Sequence, residues 1–198
     1  MIEIKPLHHC DAVVTIHGSK SYTHRALIVS ALANGESVLV NALRSDDTDC
    51  TIQGLEKFGI PIFWEGDGLH VLGKGGKLKG AEESIFAGNS GASMRFLTAL
   101  AALRKGCTLL DGNQRMRERP IGDLLNGLSA LGVRAYSKEE NDCPPVMMES
   151  QGLRGGKAKI AGEESSQFLS AILMIAPYAQ EDVEVEITGH LASKPYVD

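Results

Sequence analysis

Apolar residues recur at helical spacing in three stretches: Ser21–Ala33, Ser93–Leu103 and Ser165–Ala176. Their cores read Arg25-Ala-Leu-Ile-Val, Arg95-Phe-Leu-Thr-Ala and Gln167-Phe-Leu-Ser-Ala, successive copies lying about 70 residues apart. Each is followed by a run of β character, Ser37–Val40, Cys107–Leu110 and Val183–Thr188. Two copies continue into a second helix, ending in Leu55-Glu-Lys-Phe-Gly-Ile and Leu128-Ser-Ala-Leu-Gly-Val. Glycine directly after the last apolar helical residue is the expected stop. Paired extended pieces then close the unit, Ile60–Trp64 with Leu69–Leu72 and Val133–Ser137 with Val146–Glu149. The pattern predicts a repeat of helix–strand–helix–strand–strand, preceded by a strand from the unit before. By its own spacing the third copy is about 40 residues short at Asp198, so two and a half units are expected.

Hydrophobicity also says how the units should pack. Phe96–Leu103 and Phe168–Ile175 are apolar nearly all round, which predicts helices buried on most faces. Val183-Glu-Val-Glu-Ile-Thr alternates strictly, which predicts a strand with one core face and one wet face. The fold class expected is therefore α/β, with helices inside and half-exposed sheets outside. A doubly wound sheet would instead need continuous apolar parallel strands. An open α/β sandwich is the plainer alternative.

The 198 residues suffice for one sizeable core, and 43% hydrophobic with 23% charged is a globular composition. Lys plus Arg number 20 against 25 Asp plus Glu, a net charge of -5, which argues against general binding to nucleic acid or anionic membrane. The longest apolar stretch, Ala171–Pro177, is far short of the ~18 residues of a spanning helix. No basic and then apolar leader follows Met1. Cys10, Cys50, Cys107 and Cys143 are widely separated, with no short Cys/His pair, so neither a disulfide frame nor a metal site is expected. Reduced thiols in a cytoplasmic protein are the plain expectation.

Candidate chemistry falls at the helix starts. Gly18-Ser-Lys-Ser-Tyr-Thr-His-Arg25 combines small residues, a hydroxyl at Ser21 and cations at Lys20 and Arg25 where first-turn N–H groups favour an anion. Taken alone it is equally an ordinary Ser cap with surface cations. Gly88-Asn-Ser-Gly-Ala-Ser-Met-Arg95 repeats the design in the next unit, and Glu163-Glu-Ser-Ser-Gln167 does so in the third with neutral hydrogen-bonders. Between them Gln114-Arg-Met-Arg-Glu-Arg-Pro120 leads into a helix with Pro near its first turn. Its guanidinium forks suit phosphate or carboxylate, or else a surface Arg–Glu network. Ser193-Lys-Pro-Tyr196 adds a hydroxyl, an ammonium and a phenol. Convergent cations and hydroxyls imply a small substrate with more than one anionic group.

Other segments invite different readings. Gly68-Leu-His-Val-Leu-Gly-Lys-Gly75 nearly spells a phosphate-binding loop, but Gly75 stands where Ser or Thr must reach magnesium, and its alternation predicts a hairpin strand. Asp46, Asp47 and Asp49 read as first-turn acids behind a Ser45 cap, in preference to a metal site. His8, His9 and Cys10 have no further partner at metal spacing. His24, the one histidine within these motifs, either contacts substrate or covers the helix surface.

These motifs, in this order, closely resemble the N-terminal part of the 3-phosphoshikimate 1-carboxyvinyltransferase (EPSP synthase) family of enolpyruvyl transferases. The resemblance rests on Gly18-Ser-Lys-Ser with Arg25, Gly88-Asn-x-Gly with Arg95, Arg115-Met-Arg-Glu-Arg-Pro-Ile, Ser165-Ser-Gln and Ser193-Lys-Pro-Tyr. It implies an inside-out α/β barrel lobe, one of two that close over the substrates. Residues 18–198 would form the N-terminal substrate-binding lobe, and residues 1–17 a strand segment associating with the other lobe. The reaction implied is transfer of the enolpyruvyl group of phosphoenolpyruvate to the 5-hydroxyl of shikimate 3-phosphate, a step of aromatic amino-acid biosynthesis. By motif, Lys20, Ser21, Arg25, Ser165, Ser166, Gln167, Ser193 and Tyr196 would hold shikimate 3-phosphate. Lys20, Gly91, Arg115 and Gln167 would hold phosphoenolpyruvate, with Lys20 as the catalytic group of this chain. No metal or organic cofactor is implied, nor a nucleic-acid or membrane partner. The acid/base carboxylate of the family belongs to the other lobe, so the chain alone is expected to be inactive.

Departures from the family pattern are His17 for Pro, Ala92 for Thr, and Phe96 where Pro or Leu is common. The related UDP-N-acetylglucosamine enolpyruvyl transferases carry Lys-Asn in the first motif and a loop cysteine, whereas here Lys20 precedes Ser21. A non-catalytic anion-binding remnant of the same scaffold is the other alternative. It would be expected to lose some of these arginines, because buried unpaired cations are costly.

Overall fold

A computed structural model describes residues 6, 9–80, 84–163 and 165–197; Glu164 of the third motif, and residues 1–5 and 7–8 of the expected N-terminal strand segment, lie outside them. The first unit comprises α1 (Lys20–Leu32), β1 (Asn34–Val40), α2 (Asp46–Lys57), β2 (Ile62–Glu65) and β3 (Gly68–Lys74). The second begins with β4 (Ile85–Phe86) and runs through α3 (Gly91–Ala101), β5 (Lys105–Asp111), α4 (Gly122–Ala130), β6 (Arg134–Ser137) and β7 (Val146–Gln151). The third contains β8 (Gly156–Ala161), α5 (Ser166–Ile175) and β9 (Val183–Thr188).

The order helix–strand–helix–strand–strand thus appears twice in full. The strands form three sheets, ordered β1-β3-β2, β4-β5-β7-β6 and β8-β9. Units two and three open alike: β4 pairs parallel with β5 across α3, and β8 pairs parallel with β9 across α5. The P-loop-like segment is β3, antiparallel to β1 and β2 as its alternation requires.

Serine hydroxyls set four of the helix starts. Ser19, Ser45, Ser90 and Ser165 accept from backbone N–H groups of their own first turns, satisfying donors that a helix leaves unpaired. Ser45 and Thr48 do so reciprocally, and Asp46, Asp47 and Asp49 follow in that turn. The exception is α4, where Ile121 at the N-cap position supplies no side-chain cap. Pro120 therefore precedes the helix; the arginine run before it is a 3-10 turn over Met116–Glu118.

Every residue of α3 except Arg95 is buried. It packs against α2 on one side and α5 on the other, with α1 and α4 completing the shell. Phe58, Phe96 and Phe168 are the largest fully buried side chains of the single apolar cluster. This makes a mixed α/β domain whose helix N-termini sit close enough to share one site. The α5 helix is less enclosed than its composition predicts: Leu173 is 42% exposed.

Candidate functional site: an anion-binding cavity

Ser21 and Arg25 lie one turn apart on α1, and Ser165, Ser166 and Gln167 form the start of α5. Together with Ala192, Ser193 and Tyr196 they line one cavity of about 200 Å³. Seven of the eight residues expected at the shikimate phosphate site are therefore brought to one place, across more than 170 residues of chain.

Arg25 is half-buried and tightly held. Its Nη1 donates to the Ser21 carbonyl at 3.1 Å, Nη2 to Ser170 Oγ at 2.9 Å, and Nε to the Tyr196 carbonyl at 3.1 Å. The guanidinium also sits 5.2 Å from the Phe96 ring centre and 5.1 Å from that of Tyr196. Phe96, unusual for the family pattern, thus contributes one face of this cation's seat. Burial lowers the Arg25 pKa, with the two tyrosines working against the shift, yet an arginine stays charged at neutral pH. Tyr22 stacks obliquely on Tyr196 at 5.3 Å and donates its hydroxyl to the Pro195 carbonyl, fastening the C-terminal segment to α1.

Of the four residues expected to hold phosphoenolpyruvate, Gln167 alone lines this cavity. Lys20 is not among the cavity's lining residues; its Nζ donates to Asp47 Oδ2 at 2.7 Å. The side chain of Lys20 remains 55% exposed, so a ligand can reach it. Gly91 opens α3, where an added Cβ would lie 2.5 Å from Arg119 Nη2 and 2.6 Å from Arg95 Nη1. Only glycine lets two guanidiniums approach that first turn so closely. Arg95 in turn donates to Gln167 Oε1 at 2.8 Å, linking the Gly91 turn to the cavity.

Arg115 is exposed and does not line the cavity. Of the three arginines in its run, Arg117 grips the Asp111 carboxylate with two nitrogens, and this hydrogen bond raises its pKa. Arg119 instead lies over Gly91 and donates to the Asn89 carbonyl at 3.2 Å. Arg119 is the candidate that motif reasoning passed over, although it stands in the same run. Gly18 has its own steric reason: an added Cβ would collide with the Asn41 carbonyl oxygen.

His24 neither touches the cavity nor covers the helix. It is buried at 1% exposure, and desolvation is the main cause that lowers its pKa from 6.5 to about 4. The carboxylate of Asp47 opposes that shift. All four cysteines are free, and no group of three metal-ligating side chains occurs among the described residues.

Fold and site together define a mixed α/β protein of repeated units that gathers cations and hydroxyls at helix starts. Comparison with known proteins makes this specific: residues 4–198 match the family model of EPSP synthase (3-phosphoshikimate 1-carboxyvinyltransferase), and the chain belongs to that family. It is 42% identical over 199 residues to the 3-phosphoshikimate 1-carboxyvinyltransferase of Marinomonas sp. (strain MWYL1), covering 100% of this chain and 47% of that one. The protein of the same name from Methanothermobacter thermautotrophicus is 44% identical over 188 residues, covering 95% of this chain and 44% of its own. A solved EPSP synthase from Acinetobacter baumannii superposes with a TM-score of 0.82 at 25% identity, over 91% of this chain and 41% of that one. The chain thus spans about half the length of the relatives it matches.

Proposed function

We propose that this chain is the shikimate 3-phosphate-binding half of a 3-phosphoshikimate 1-carboxyvinyltransferase. The supporting observation is the convergence of Ser21, Arg25, Ser165, Ser166, Gln167, Ser193 and Tyr196 on one cavity. In this reading Arg25 and the serine hydroxyls hold the phosphate and ring hydroxyls of shikimate 3-phosphate, and Tyr196 flanks the ring. Gln167, held by Arg95, reaches both substrates. Lys20, Gly91 and Arg115 receive phosphoenolpyruvate, and Arg119 joins them because it lies over the Gly91 turn.

The 5-hydroxyl oxygen bonds to C2 of phosphoenolpyruvate and gives up its proton, while C3 gains a proton, so the double bond becomes a tetrahedral carbon bearing a methyl group. The bond from C2 to the phosphate oxygen then breaks, phosphate leaves with the electron pair, and the methyl carbon loses a proton to restore the double bond. Lys20 and the guanidiniums stabilise the charge that shifts onto the phosphate, through a positive site built before substrate arrives. Proton transfer needs a positioned acid/base, which we assign to the other half of the enzyme.

Residues 18–198 form the N-terminal lobe in this reading, with helices inside and sheets outside. The segment before residue 18 serves the other half. Residues 9–17 carry exposed Val13, Val14 and Ile16 and pair with none of the described strands. α2 bridges α1 and α3, α4 bridges α3 and α5, and a third helix of this kind would bridge α5 and α1. There Val29, Leu32, Leu173, Met174 and Pro177 line an apolar groove of about 540 Å³. We place the protein in the cytoplasm, which suits its free thiols. Mixing this chain with a polypeptide carrying the second half of the enzyme should restore phosphate release from the two substrates. Substantial release by residues 1–198 alone, in a host lacking its own enzyme, would overturn the two-half reading.

A further inference from the structure

His24 Nδ1 lies 2.8 Å from Thr51 Oγ1, and Thr51 Oγ1 lies 2.7 Å from Ser93 Oγ. Ser93 Oγ donates to the Asp47 carbonyl at 3.0 Å. The chain joins α1, α2 and α3 in sequence, and His24, Thr51 and Ser93 are all essentially inaccessible to solvent. At its far end Asp47 holds Lys20, while Ser93 lies in the same first turn as Gly91. Building on the site reading above, we propose that His24 is a positioning residue: its Nδ1–H starts a one-way relay through Thr51 and Ser93 that fixes Asp47, and through Asp47 the ammonium of Lys20.

The direction follows from counting hydrogens. Ser93 Oγ faces two acceptors on its far side, the Asp47 carbonyl at 3.0 Å and Ser90 Oγ at 2.7 Å, and its single hydrogen is shared between these and not given to Thr51. Ser93 then accepts from Thr51, whose one hydrogen is thereby used, and Thr51 must accept from His24. His24 is thus a neutral imidazole carrying its proton on Nδ1. Its other nitrogen, Nε2, is buried and has no hydrogen-bond partner among the described residues. A bare acceptor there is less costly than a stranded N–H, because unpaired buried donors are the rarer exception. The neutral ring is also what its lowered pKa maintains.

Two measurements test this on the intact chain. Nitrogen NMR of His24 at neutral pH should show Nδ1 protonated and Nε2 bare; the opposite tautomer overturns the relay. Competitive acylation of lysines reads the far end without any ligand. In Thr51→Val, which keeps the volume and removes the hydroxyl, Lys20 should react about threefold faster relative to Lys57 and Lys105, the change expected for one weakened hydrogen bond. His24→Leu should do the same, whereas His24→Asn, whose amide offers a donor near Nδ1, should restore the wild-type ratio. General loosening of the fold would raise all three lysines together. An unchanged Lys20 ratio in folded Thr51→Val overturns the proposal, even where shikimate 3-phosphate binds normally. Loss of shikimate 3-phosphate binding by the wild-type chain would instead overturn the function assigned to the cavity, leaving the tautomer result intact.

Discussion

At the scale of single residues, identical side chains have different work, and substitution separates them. Arg25→Ala removes charged hydrogen bonds from the cavity wall, so shikimate 3-phosphate affinity should fall by about 1.5–3 kcal/mol in calorimetric titration. Gly91→Ala meets only the ends of two arginine side chains. Its urea unfolding midpoint should therefore report a stability loss of about 1 kcal/mol or less, while phosphoenolpyruvate binding in the presence of shikimate 3-phosphate is lost. His24 carries a pH signature. Its folded pKa of about 4 lies below the usual 6.5, so the unfolded chain binds the extra proton between those values and stability rises with pH across that window. Acidifying from neutrality to pH 4 should cost up to about 3 kcal/mol through this group. Urea midpoints of wild type and His24→Asn should converge as pH falls through the window, because the variant lacks this titration.

Ser21, Arg25, Ser165, Ser166 and Gln167 were legible because helix starts recur, and Ser193 and Tyr196 through the Ser-Lys-Pro-Tyr motif; the structure brings these seven together. His24 was not legible. Nothing in its neighbours along the chain reveals that Thr51 and Ser93 meet it from two other helices. Arg119 was hidden by its likeness to Arg115 and Arg117, since only the fold decides which guanidinium reaches Gly91.

Among the elements, strict periodicity gave the sharpest expectations. Val183–Thr188 is β9 to the residue, and α1 begins one residue before the expected Ser21. The expected helix over Ser93–Leu103 begins two residues earlier in the structure, at Gly91. In the structure Ser90 is the cap, and Ser93 is committed to the interior. β8 was missed although Gly156–Ala161 alternates. Its apolar positions include only small Ala158 and Ile160, and its partner is remote in sequence. The ion pairs Lys157–Glu184 and Lys159–Glu186, at 2.8 and 2.9 Å, mark that pairing on the wet face. The groove between α1 and α5 leads to a further expectation. Leu173→Gln should reduce self-association in sedimentation velocity and leave the melting temperature nearly unchanged, because Leu173 is already half-exposed. Greater self-association in the variant would show that this face is not responsible. Ser45→Ala, by contrast, should lower stability by about 1 kcal/mol in urea unfolding through loss of the α2 capping box.

Taken as a whole, the molecule is acidic, with a net charge of -5, yet it concentrates Lys20, Arg25, Arg95 and Arg119 around helix starts. That local reversal is the physical reason an acidic protein can still offer a positive site to an anion. The cations are held in place by the protein's own groups: Arg25 by carbonyls and Ser170, Arg95 by Gln167, Lys20 by Asp47. Little reorganisation is then needed when the anion arrives. The most direct test is calorimetric titration of residues 1–198 with shikimate 3-phosphate and, separately, with phosphoenolpyruvate. Shikimate 3-phosphate should bind one-to-one, more weakly in Arg25→Ala, and phosphoenolpyruvate alone should bind much more weakly. Equal affinity for the two, or binding of phosphoenolpyruvate only, would contradict the function assigned to the cavity.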